Sequence, residues 1–141
     1  MAKKNNPILH SLIDFFDKRD IKYQSHIKDG YLACSFKTES VFNNVDLIFQ
    51  VTDGELVVFT LLNTCVPDDK KIGISNLICE INSEFLYGNF DYINSTGEIR
   101  YKVFTDLGES DLKEDIIDRV IMVSLYMVET NGDRIMKYLL D

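Results

Sequence analysis

"VDLIFQVTDGELVVFTLL", residues 45–62, decides how the chain folds. Two runs of alternating side chains flank Asp53-Gly54, a dipeptide that can take the positive φ angles of a two-residue type I′ turn. With that turn, Thr52 faces Glu55, Val51 faces Leu56, and the register extends outwards. One face of the hairpin then carries Val45, Leu47, Phe49, Val51, Leu56, Val58, Thr60 and Leu62, as a core requires. The other carries Asp46, Ile48, Gln50, Thr52, Glu55, Val57, Phe59 and Leu61, half apolar where a solvated sheet face is polar. Ile48, Val57, Phe59 and Leu61 are therefore a candidate docking patch, covered either by the chain's own last helix or by a partner.

Upstream of this hairpin, Asn6 and Pro7 supply a cap and a first-turn proline, and Ile8, Leu9, Leu12, Ile13, Phe15 and Phe16 follow at helical spacing. A first helix is expected from Pro7 to Lys18. Residues 22–28 and 31–37 around Asp29-Gly30 read as a hairpin with Leu32, Cys34 and Phe36 on one face.

Downstream, a second helix is expected over residues 71–86, with a core stripe of Ile74, Leu77, Ile78, Ile81 and Phe85. Ile72, Cys79 and Leu86 fall at i, i+7 and i+14 on another side of it, a second seam fit for a partner helix. "GNFDYINSTGEIRYKV", residues 88–103, is a further hairpin. A four-residue turn pairs Asp91 with Arg100 and Phe90 with Tyr101, and its Phe and Tyr side chains alternate towards a core. This stretch has a structural explanation in full. The last helix opens near "ESDLKEDI", capped by Ser110 or Asp111, and runs at least to Glu129. Between Val120 and Val128 it is apolar almost all round, which makes Ile121, Leu125 and Val128 candidate dimer contacts. Gly132 is expected to break or kink it.

At 141 residues, with 45% hydrophobic content, the chain suits a single domain spanning residues 1–141. Fifteen Lys and Arg against 23 Asp and Glu leave a net charge of -8, which disfavours nucleic acid and anionic lipid. No stretch has the length of a membrane span or the form of a signal segment. Three cysteines without paired spacing suit free thiols in a reducing cytoplasm. Phosphate loops, dinucleotide fingerprints, CxxC pairs, HExxH and GxSxG are all missing, so no cofactor, metal or catalytic reaction is expected. Cys65, with His26 as its imaginable partner, and Cys79 keep a thiol enzyme or redox sensor open as an alternative.

The element order α-β-β-β-β-α-β-β-α is that of an α+β fold with an antiparallel sheet. Asn82 stands late in the second helix, Gly88 and Phe90 open a strand, and Gly97, Ile99, Arg100 and Tyr101 follow the turn. With the acidic hairpin and Pro67 after it, these features make residues 7–128 resemble the YbjN family of small bacterial proteins. The resemblance implies a fold similar to the type III secretion chaperones, often dimeric. It also implies a role among candidate sensory-transduction regulators, with no catalytic residues to carry over. Residues 131–141 lie beyond it, as a helical tail. The expectation is a cytoplasmic, non-enzymatic regulatory or protein-binding module, a homodimer or a peptide-binding adaptor. A client-specific secretion-type chaperone is the alternative within the same fold.

Overall fold

The computed structural model describes residues 6–141. Asn6 caps the first helix, α1 (Pro7–Lys18), its Oδ1 accepting from the backbone N–H groups of Ile8 at 2.8 Å and Leu9 at 3.3 Å. The apolar stripe of α1 is buried, and Phe16 meets the Phe49 ring edge-on with centroids 5.2 Å apart. Six strands follow: β1 (Gln24–His26), β2 (Tyr31–Lys37), β3 (Asn44–Thr52), β4 (Glu55–Leu61), β5 (Asn89–Ile93) and β6 (Glu98–Asp106). They form one antiparallel sheet in the order β1-β2-β3-β4-β6-β5, with α2 (Lys71–Ser83) connecting β4 to β5 and α3 (Glu114–Leu140) after β6.

Both long hairpins have the expected register, although in the turn between β3 and β4 only Gly54, at φ 78°, takes a positive φ and Asp53 does not, so the turn is not the expected type I′. Thr52 lies opposite Glu55 and Val51 opposite Leu56, while Asp91 lies opposite Arg100 and Phe90 opposite Tyr101. Side chains alternate across the pleat, so Leu32, Leu47, Phe49, Val58, Tyr101 and Val103 share a face, and all are buried. The stripes of α1, α2 and α3 close this face, giving one core.

The sequence misplaces three helix features. α2 stops at Ser83, so Leu86 lies outside it and the third position of the expected seam is not helical. Phe85 turns inward to Phe90 and Tyr101, and the chain must leave the helix there to start β5. α3 begins at Glu114 without a side-chain cap, rather than at Ser110 or Asp111. The intervening segment instead turns at Leu107–Ser110, where the Ser110 N–H donates to the Leu107 carbonyl at 2.8 Å, and Leu107 and Leu112 are both buried in the core. Finally, α3 continues through Gly132 to Leu140 without a break. Gly132 is buried against the loop between β2 and β3, where a Cβ would stand 2.9 Å from the Phe42 ring. Close packing there outweighs the ~1 kcal/mol that glycine costs inside a helix.

The almost wholly apolar middle of α3 has the same origin. The helix touches β6, α1 and α2, so Val120, Ile121, Met127 and Val128 all meet other elements. Ion pairs fasten it to each helical neighbour: Glu114 to Lys18 at 3.2 Å, and Arg134 to Glu84 at 3.1 Å.

Candidate functional site

With α1, α2 and α3 on one face, the opposite face of the sheet carries no covering element among the described residues. The expected alternative, a last helix folded over the patch, is not what the chain does. Cross-strand rows run Ala33, Ile48, Phe59, Lys102 and Asn89 in one line, and Ser35, Asp46, Leu61, Arg100 and Asp91 in the next. Val57 lies opposite Phe104 in a third row. Ile48, Val57, Phe59 and Leu61 are therefore contiguous, each partly exposed, and Phe104, 54% exposed, extends the patch. Phe104 is a site residue that sequence reading missed. Its signal was present in the alternation of Arg100, Lys102 and Phe104 along β6, continued past Val103.

Charges frame this patch. The Arg100 guanidinium lies 4.3 Å from the Phe59 ring centroid, and its Nε donates to Asp91 at 3.3 Å. Lys102 reaches the same Asp91 carboxylate at 3.3 Å. On the other flank, the Ser35 hydroxyl donates to Asp46 at 2.6 Å. Beyond Asp46 and Ile48 the patch opens into a groove of about 640 Å3 that reaches Gln24, His26 and Tyr31. His26 stacks on Tyr31 with ring centroids 4.5 Å apart. β1 pairs with β2 only from Tyr31 to Ala33, so Cys34–Lys37 have no strand beside them on that side among the described residues.

The remaining candidates scatter. Ile72 and Cys79 are exposed on α2, and Leu86 is fully exposed after it, so no single helical seam joins all three. Ile121 and Val128 are buried at 6% and 0% exposure and Leu125 is partly buried, which removes Ile121 and Val128 from any free surface. The exposed apolar side chains of α3 are Met122 and Tyr126 in its middle and Leu140 at its end. Cys65 is exposed and points to the Thr96 carbonyl at 3.7 Å, in the turn between β5 and β6. His26 lies in the edge strand at the far side of the sheet, so the imagined Cys65–His26 pair is not brought together. Cys34 is buried, and desolvation pushes its thiol up to about 12.

The residues around the last hairpin have architectural work. The Asn82 side chain accepts from the Phe90 N–H at 2.8 Å and donates to the Phe90 carbonyl at 2.9 Å, occupying the free edge of β5 as a neighbouring strand would. Gly88, at φ 69°, sits where a Cβ would run into the Tyr101 hydroxyl and the Lys102 carbonyl. That hydroxyl donates to the Tyr87 carbonyl. Gly97, at φ 77°, receives the Val66 N–H on its carbonyl at 2.9 Å.

The fold and its open face define an α+β class with a six-stranded antiparallel sheet and helices on one side. A solved structure of this class is YbjN from E. coli, described as a candidate transcription regulator. It matches with a TM-score of 0.64 over 86% of both chains, at 11% sequence identity, a likeness of fold. No family model matches the chain, and no curated protein does. Among the described residues no helix is long and apolar enough to cross a membrane.

Proposed function

We propose that this chain is a non-enzymatic regulatory module, kin to the YbjN family, that acts in the cytoplasm through protein contacts on the open sheet face. One observation carries the reading: among the described residues α1, α2 and α3 all lie on one side of the sheet, leaving Ile48, Val57, Phe59, Leu61 and Phe104 uncovered in a contiguous patch. Apolar surface of this kind on a monomer commonly marks a contact site. The shared fold with a candidate regulator supports the regulatory part. The test compares proteins retained by the full chain with those retained by Phe59→Asp/Leu61→Asp. The reading expects specific partners to be lost from the variant while its fold persists. An unchanged set of partners would refute it.

A second reading, a chaperone for one extended client segment, is favoured by the free edge of β2 at Cys34–Lys37 beside the 640 Å3 groove. Main-chain pairing along such an edge adds a strand from another protein. Ser35→Pro introduces a residue that strand pairing tolerates poorly, and should abolish client retention while leaving contacts at Phe59 intact.

A further inference from the structure

We infer that the segment received at the free edge of β2 carries an arginine, which lies opposite Ser35 and pairs with the Asp46 carboxylate. The inference rests on the reading of this edge as the place where an extended client adds a strand, and deepens it by naming the residue that the client presents.

The edge fixes the register. The Thr38 N–H donates to the Asn43 carbonyl and the Gly30 carbonyl accepts from the Val51 N–H, so the even-numbered residues of β2 between them turn their backbone groups to β3. Tyr31, Ala33, Ser35 and Lys37 turn theirs outward. β1 faces Tyr31 and Ala33, which leaves the N–H and C=O groups of Ser35 and Lys37 without backbone partners among the described residues. Continued along β2, β1 would set Lys22 opposite Ser35. The chain is instead held to α1 there, since the Ile21 N–H donates to the Phe16 carbonyl at 3.0 Å and the Tyr23 ring lies 5.5 Å from that of Phe16. A strand position beside Ser35 is therefore open.

Charge names the side chain that fits it. A residue opposite Ser35 joins the row of Ser35, Asp46, Leu61, Arg100 and Asp91 on the open face. Asp91 holds Arg100 and Lys102, whereas Asp46, half-buried beside Ile48, forms no ion pair among the described residues. One Asp46 oxygen accepts from the Ser35 hydroxyl at 2.6 Å, and the other is free to accept from an incoming group. Two strand spacings, about 10 Å, separate Asp46 from the backbone of the added strand. Serine is short enough for an extended arginine to cross, and its guanidinium then meets the free oxygen in a charge-assisted hydrogen bond. Ala33 and Ile48 line the groove beside the aliphatic stem. Lysine is shorter, and its more strongly hydrated ammonium loses more on leaving water. Main-chain pairing at Ser35 and Lys37 is blind to sequence, so the contact with Asp46 supplies the selectivity. Lys22 also lines the groove and would favour an acidic client instead, an outcome the test separates.

The test measures binding of three labelled nine-residue peptides to the full chain by fluorescence anisotropy. Each alternates threonine and valine around a central arginine, citrulline or glutamate. The arginine peptide is expected to bind at least about tenfold more tightly than the citrulline peptide, which keeps the shape without the charge. Asp46→Asn should bring that ratio close to one and leave the citrulline peptide unaffected, and Ser35→Pro should abolish binding of both. Circular dichroism establishes that the two variants are folded. A preference for the glutamate peptide, or an arginine preference that survives Asp46→Asn, overturns the inference. Equal binding of all three peptides, lost in Ser35→Pro, also overturns it while leaving the edge reading in place. If no peptide binds the wild type, the edge reading and the inference fail together.

Discussion

Asn82 illustrates how a single side chain shapes this molecule. β5 is an edge strand, and an edge exposes unpaired N–H and C=O groups that invite further strands. The Asn82 amide carries one acceptor and one donor at the spacing of a backbone partner, and it satisfies both groups of Phe90. Asn82→Ala should leave both groups without these partners and cost about 2–3 kcal/mol, read as a lower midpoint in chemical denaturation. Hydrogen exchange should localise the loss, with the Phe90 amide becoming unprotected before the rest of β5. Asn82→Asp keeps the acceptor but loses the donor, so Phe90 N–H protection should persist while stability still falls. Equal protection in wild type and Asn82→Ala would disprove the edge-capping role. Cys34 gives an independent readout of the core: Cys65 and Cys79 should react with a thiol reagent in the native state, Cys34 only on unfolding.

Among the elements, α3 has most to reveal, because it is held by contacts spread along its length. Gly132 lets the Phe42 ring lie directly on the helix. Gly132→Leu would place a side chain in that space, and should destabilise by about 2 kcal/mol despite the better helix propensity of leucine. Removing the opposing ring should relieve part of the strain, so Gly132→Leu and Phe42→Ala should be less than additive in denaturation. At the other end, Lys18 and Arg19 hold the Glu114 carboxyl below the usual carboxylate range. A pKa lowered on folding adds stability that is present above the unfolded value and is lost as pH falls through the folded value. The wild type should therefore exceed Glu114→Gln in stability at neutral pH, with the difference fading in acid and in high salt. Thermal melts across pH and salt measure it, and a difference that grows in acid would contradict the pairing.

At the scale of the whole molecule, an uncovered sheet face predicts tolerance. Phe59→Asp/Leu61→Asp should cost the monomer no more than about 1–2 kcal/mol, mostly from the Arg100–Phe59 stack, whereas the same changes under a covering helix would unfold it. Thermal melts on dilute protein separate the two cases. The sequence by itself determined the registers of the β3-β4 and β5-β6 hairpins, but not the extent of β1, which spans only Gln24–His26 of the expected 22–28 because Ile27–Asp29 form a 3-10 turn. A period of two and the turns at Asp53-Gly54 and Asn94–Gly97 are local signals that leave one pairing with its apolar side chains on one face. It also determined α1, through Asn6, Pro7 and a regular stripe. Only the tertiary structure decided where α2 and α3 end, since Phe85 turning inward and Phe42 packing on Gly132 are contacts between residues distant along the chain. It likewise decided which apolar residues remain in view. Ile121 and Val128 are as apolar as Ile48 and Val57, and what separates buried from open is the side of the sheet on which three helices come to rest. That choice arises from long-range packing, which no local period encodes.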